Sequence, residues 1–280
     1  MTLPEPSVLE GVLRRDRLLV VAGLGVVVAL AWIWIFAGAG LGMSPLSSWR
    51  EPEMSSMPGM PGMADMVMRP AVWSPGYALL MFVMWWVMMA AMMLPSATPM
   101  LLLYARINRG ERAGGRPYVP AGVFAAGYLA AWGGFSLLAV AAQWGLERLG
   151  LLSPAMATTS LLLGAAILVA AGLWQLTPIK TICLRQCRSP IGFLSHSWRP
   201  GTRGALVMGL EHGSYCLGCC WFLMALLFFG GIMNLVWIAG LAVFVLLEKT
   251  LPYGHWLGRA AGIVAIAWGA LLVVRAAGIA

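Results

Sequence analysis

Seven apolar stretches run along this chain, at roughly 18–39, 76–104, 118–146, 157–179, 204–231, 235–252 and 260–278, and most of the charge falls between them. Each is near or above the ~20 residues that carry an α-helix across a bilayer. The pattern predicts an all-α, polytopic transmembrane helix bundle of about seven helices. The longest polar stretches, 40–75 and 180–203, leave no room for a soluble catalytic domain, so any chemistry belongs to the helices or to those two segments.

The basic residues give the bundle a direction. With a cytoplasmic N-terminus, the outer segments keep only Arg50, Arg69, Arg148 and Arg275, and the rest of the Lys and Arg fall inside. The first span follows Arg14, Arg15 and Arg17 and ends in Ala37-Gly38-Ala39-Gly40, which imitates a cleavage site. Its apolar run exceeds the usual 7–15 residues of a signal peptide, so it reads as a retained anchor. The chain divides into an N-terminal cytoplasmic segment and anchor helix (1–39), a Met-rich periplasmic loop (40–75) and a six-helix metal-binding membrane domain (76–280).

Composition agrees: 61% of the residues are hydrophobic and 10% charged, against about 25% charged in soluble domains. The net charge of +8 is a record of topology and does not imply a nucleic-acid partner. The lipid bilayer is the first partner implied.

Within the fifth span, Glu211-His212-Gly213-Ser214-Tyr215-Cys216-Leu217-Gly218-Cys219-Cys220 holds three of the five cysteines and one of the three histidines. At about 100° per residue His212, Cys216, Cys219 and Cys220 share roughly a third of the helix circumference. From Cys216 to Cys220 the rise is only about 6 Å, so these thiols can approach one ion in the linear or trigonal geometry that Cu(I) accepts. His212 to Cys219 rises about 10.5 Å, which calls for ligands from neighbouring helices or for two successive positions. Gly209 and Gly213 form a small-xxx-small pair that admits a partner helix, with the Met81–Met92 face as the expected partner.

Methionine surrounds this cluster in sequence. The outer loop repeats Met54, Met57, Met60, Met63, Met66 and Met68 among Pro, Gly and Ser, with too little apolar surface to fold alone. Thioethers are soft neutral ligands that favour Cu(I), so the loop suits metal capture. On the second span Met81, Met84, Met88 and Met92 lie within about 80° of one another, a thioether ladder or an adaptable packing surface. Pro95 and Pro99 toward the end of that span predict a kink or break.

Past the fourth span, Cys183 and Cys187 stand at i, i+4 in a basic inner loop, a pair suited to a soft-metal exit site. A reducing compartment argues against a structural disulfide there. Glu211 lies off the ligand stripe and needs a partner such as Arg203, Lys180 or Lys249. Glu248 and Lys249 read as a possible proton-linked or ion-paired couple, Lys249 snorkelling to the interface and Glu248 facing inward.

The strings Met88-Met89-Ala90-Ala91-Met92-Met93-Leu94-Pro95, Gln175-Leu176-Thr177-Pro178-Ile179-Lys180, Cys183-Leu184-Arg185-Gln186-Cys187-Arg188 and Gly209 to Trp221 resemble a bacterial family of predicted metal-binding integral membrane proteins, the domain of unknown function 2182. Met233-Asn234-Leu235 and Glu248-Lys249 match it as well, and the resemblance covers roughly 76–255. It implies a bacterial inner-membrane, multi-pass protein with metal-binding cysteines.

The reading is a bacterial inner-membrane copper-handling protein and not an enzyme. It binds, transfers or transports Cu(I), with zinc as the other metal that Cys and His admit. Periplasmic and cytoplasmic metal carriers, or a membrane metalloenzyme, are the implied partners. The alternatives are a membrane thiol-disulfide oxidoreductase and a non-transporting assembly factor for a membrane metalloenzyme.

Overall fold

The computed structural model describes residues 8–40, 72–113, 119–153 and 156–278, with side chains omitted for 8–17 and 111–113. Met54, Met57, Met60, Met63 and Met66 lie outside the described residues. Among the described residues ten helices follow one another: α1 (Val8–Phe36), α2 (Pro75–Ala113), α3 (Ala121–Arg148), α4 (Leu161–Leu176), α5 (Pro178–Arg188), α6 (Pro190–Ser197), α7 (Gly201–Ala225), α8 (Leu227–Gly230), α9 (Leu235–Thr250) and α10 (Gly254–Ala276). Among the described residues there is no strand, only an isolated bridge between Leu152 and Thr158.

Local chemistry sets the helix starts. Ser160 caps α4 by accepting from the Leu163 N–H, and Asn234 caps α9 by accepting from the Trp237 N–H. Thr177 ends α4 and caps α5 at once: its hydroxyl donates to the Trp174 carbonyl and accepts from the Lys180 N–H, while Pro178 takes the first position of α5. Those groups are the ones a helix terminus leaves unsatisfied. The chain bends by 66° there.

These caps also revise the count of spans. Among the described residues five helical stretches are long and apolar enough to cross a bilayer: Leu18–Phe36, Pro75–Gly110, Ala121–Arg148, Gly201–Gly230 and Gly254–Ala276. The bent pair α4–α5 makes a sixth if it counts as one span. The expected stretch 235–252 is a helix of 16 residues, starting at its Asn234 cap and ending at Thr250, shorter than the ~20 a crossing needs. The chain is a multi-pass membrane protein with an all-α fold.

Its surface is turned inside out relative to a soluble protein. Leu18, Leu137, Leu138, Leu162, Val243, Ile263 and Val264 are exposed, whereas Trp85, Trp132, Tyr104, Tyr128, Phe124 and a run of methionines are buried. Side chains facing lipid gain nothing by being packed away, so large apolar groups tile the outside. The core then collects aromatic rings, sulfur and the few polar side chains.

The expected break at Pro95 and Pro99 does not occur, because α2 is continuous through both. Nearby polar groups bond the backbone around them: Ser96 Oγ donates to the Met93 carbonyl and Thr98 Oγ1 to that of Leu94. Neighbouring hydroxyls commonly satisfy the carbonyls a proline disturbs within a membrane.

The closest helix contact runs between α3 and α7. A Cβ on Gly209 would fall on the Phe124 carbonyl and one on Gly127 on the Leu206 carbonyl, so the two backbones touch. A Cβ on Gly213 would stand 2.7 Å from that of Ala131 and 3.0 Å from the Tyr128 carbonyl. The partner of the Gly209/Gly213 face is therefore α3, a correction to the expected Met81–Met92 face. Side-chain volume decides this: methionines could not approach as near as the small face of Gly127 and Ala131.

This seam predicts a sharp difference between two substitutions. Gly209→Leu is expected to destabilise the folded protein by about 1–3 kcal/mol or more, through overpacking of a backbone contact. Gly134→Leu on the exposed side of α3, where a Cβ meets nothing within 4 Å, should be near neutral. Thermal unfolding in detergent checks the pair, and equal melting temperatures would mean the seam is not tight.

Candidate metal centre

At the middle of α7 the helical spacing turns Cys216, Cys219 and Cys220 inward, and all three are buried. The Cys219 and Cys220 thiols both donate to the Cys216 carbonyl, at 3.1 and 2.8 Å. This is the back-bonding a short polar side chain makes within its own helix. It parks two thiols against one turn and holds them close to Cys216.

The bend at Thr177 supplies the rest. It lays α5 against α7, so that Cys187 Sγ comes 4.0 Å from Cys219 Sγ. Cys183 lies against Gly218, where a Cβ would stand 2.6 Å from its sulfur. Glycine at that position makes room for the thiol. Cys183 and Cys187 are thus part of the α7 cluster, a correction to their expected place at a separate exit site.

Three further groups close on the cluster. Cys220 Sγ lies 3.9 Å from the Met93 thioether of α2, and the Tyr128 hydroxyl of α3 lies 3.0 Å from Cys216 Sγ while also reaching the Met93 carbonyl at 3.3 Å. Lys249 Nζ of α9 donates to Cys216 Sγ at 2.9 Å and to Ser96 Oγ at 3.2 Å. Lys249 is buried here, which corrects the expected snorkel to the interface. An ammonium beside Cys216 offers a thiolate a counter-charge within a low-dielectric interior.

The other ionisable residues are placed differently from one another. Glu248, the neighbour of Lys249, pairs with Lys180 in a fully buried contact. Glu211 sits near the surface with its side chain 31% exposed, within 3.9 Å of Arg199 and accepting from Ser197 Oγ at 3.2 Å. Its Oε2 is buried, and Arg199 takes the place of the expected partners Arg203, Lys180 and Lys249.

His212 lies below the thiols in an aromatic box, its ring 5.2 Å from Phe193, 5.9 Å from Tyr128 and 6.1 Å from Phe124. Its Nδ1 is buried without a hydrogen-bond partner. That nitrogen is a donor set aside from the protein's own hydrogen-bond network, an exception that calls for an explanation.

Above the thiols, Met81, Met84, Met88 and Met92 are all buried at 1% exposure or less, as the helical spacing predicts. The stripe meets the cluster through Met93. Among the described residues no three His, Cys, Asp or Glu side chains already stand as a set around one ion. What the arrangement offers is a group of adaptable soft donors, thiols and a thioether, that suits Cu(I) by ligand type.

Helix α5 separates this cluster from a cavity of about 800 Å³. Lys180, Leu184, Arg185 and Arg188 face the cavity, and Cys183 and Cys187 face α7. The bent helix lines a polar recess with one face and carries two of the five thiols on the other.

Met93, Tyr128 and Ser96 are participants that the sequence reading passed over. Met93 stands beside Met92 in the chain, but the ladder's spacing selected Met92 alone. Tyr128 carried no ligand signal of its own in the sequence.

A family model described as a copper chaperone, PpoB2, matches residues 82–272. No curated protein and no solved structure matches. The match covers the thiol cluster and most of the methionine stripe. The chain belongs to the PpoB2 copper chaperone family, and its role is a copper-handling one.

Proposed function

We propose that this chain binds Cu(I) inside the membrane and passes it on by ligand exchange among soft donors. The observation that carries the reading is the meeting of Cys187, Cys216, Cys219 and Cys220 from two helices with Met93, the chain neighbour of the last methionine of a buried stripe. Cu(I) is the cargo. Met54, Met57, Met60, Met63 and Met66 collect it outside, and Met81, Met84, Met88 and Met92 lead it inward. The thiols hold it, with His212 as a further donor and Lys249 balancing charge.

The family description favours delivery of copper to another protein over bulk transport. Protein purified from copper-grown cells is expected to carry Cu(I), and deletion of 54–68 to lower its occupancy. Metal analysis checks both, and copper flux into liposomes separates a transporter from a chaperone. Copper content that survives Cys216→Ser/Cys219→Ser/Cys220→Ser would sink the reading.

One observation favours the thiol-disulfide alternative: Cys187 and Cys219 lie 4.0 Å apart, a short movement from bond formation. Purified protein that lacks bound copper and shows a titrating Cys187–Cys219 disulfide would establish it instead.

A further inference from the structure

At the Pro75 end of the bundle, some turns away from the thiols, a second group of soft and charged side chains meets around one amide. The Gln143 Nε2 of α3 donates to the Met81 sulfur at 3.4 Å and to the Met156 sulfur at 3.5 Å. The same nitrogen donates to Glu147 Oε1 at 2.8 Å. Its two hydrogens face three acceptors, so at least one bond is shared.

The other ends of this group are tied down. Trp85 Nε1 donates to Gln143 Oε1 at 2.9 Å, and Trp73 Nε1 donates to Glu147 Oε2 at 2.6 Å. Gln143 is wholly buried, and Met81 and Met156 nearly so. Met156 also takes a positive φ of 56°, a conformation rare for a residue with a Cβ. Its backbone is held there by bonds from Met156 N–H to the Ser153 carbonyl and from Ile232 N–H to its own carbonyl. The loop between α3 and α4 is strained at the residue that turns a thioether inward.

Two sulfurs from separate elements thus aim their lone pairs at one point, where the electropositive end of an amide now stands. A soft monovalent cation asks for the same electron pairs and accepts two thioethers in near-linear geometry. Glu147 beside it would cancel the ion's charge, which matters at a buried site.

We propose that Met81 and Met156 form a two-thioether Cu(I) site at this end of the bundle, with Gln143 as the group displaced on binding and Glu147 as the counter-charge. The inference rests on the copper reading above and adds its first waypoint. Trp73 stands five residues beyond Met68, so the Met-rich loop ends within about 17 Å of chain from the site. An ion released from the loop meets Met81 and Met156 before Met84, Met88 and Met92.

Ag(I), a soft monovalent ion without redox chemistry, is the probe, counted by native mass spectrometry of the full chain in detergent. Met81→Leu and Met156→Leu are each expected to bind one ion fewer than the wild type, while the metal-thiolate absorption of the cysteine cluster persists and reports an intact fold. Met100→Leu, another buried methionine of α2, keeps the wild-type count. Wild-type counts in both Met81→Leu and Met156→Leu overturn the site.

A measurement without substitutions stands behind these. In wild-type protein carrying carbon-13 methionine methyls, one ion added after the thiolate absorption saturates should shift two methyl resonances. No shift beyond saturation overturns the proposal. If the wild type shows no thiolate absorption while the two variants still lose an ion, the cysteine reading fails and this site stands.

Discussion

Cys216→Ser is expected to weaken Cu(I) binding by more than about 100-fold, beyond the roughly 10–100-fold that loss of an outer partner costs a metal site. Cys216 is the hub of the cluster: its sulfur meets Tyr128 and Lys249, and its carbonyl holds the Cys219 and Cys220 thiols. A serine oxygen is hard and binds Cu(I) poorly, and it would leave Lys249 without its soft partner. Cys183→Ser, at the half-exposed rim beside Gly218, should cost only about 10-fold on the same scale. Competition with a Cu(I) chelator in detergent measures both. Equal affinities for Cys216→Ser and the wild type would place the copper elsewhere.

Glu248→Leu is expected to destabilise the protein by about 3–5 kcal/mol, the cost of leaving one member of a buried ion pair alone. The side chains of Lys180 and Glu248 are 3% and 1% exposed, so the pair is withdrawn from water even though it borders the cavity. A Cβ on Gly258 would stand 3.1 Å from Lys180 Nζ, so α10 is packed onto the pair as well. The double variant Lys180→Met/Glu248→Leu should recover most of the loss, because removing both charges removes the desolvation cost they share. Denaturant titration of the two single variants and the double completes the cycle. Additive losses would show that the two residues act independently.

Much of the site was legible because helical period and ligand type agree. Cys216, Cys219 and Cys220 share a face by spacing alone, and Met81, Met84, Met88 and Met92 are buried together as spacing predicts. What could not be read were relations between elements. Nothing local tells that Thr177 turns α5 back onto α7, so Cys183 and Cys187 read as a separate pair. Lys249 follows the same logic: near a helix end a lysine normally reaches for the interface, and only the packed bundle shows Ser96 and Cys216 waiting for it.

The Gly209 and Gly213 contact was visible as a motif, but its partner was not. A small-xxx-small pair records how closely something approaches and not which helix does so. The number of spans differs for a related reason: hydropathy sees apolar length, whereas a new bent helix starts at Pro178 within the fourth stretch and 235–252 yields only 16 helical residues.

The α3–α7 seam has a consequence for how this protein can vary. Where backbone meets backbone, the distance between two helices is set by main-chain atoms and is indifferent to most side-chain exchange. Tyr128 and Cys216 ride on opposite sides of that seam, so their 3.0 Å contact is a fixed dimension of the molecule. Cys187 and Lys249 arrive on α5 and α9 and owe their positions to caps, a bend and one ion pair. The thiol cluster is built like a vice, with one rigid jaw and one adjustable one, and changes in copper affinity among relatives should be written in α5 and α9.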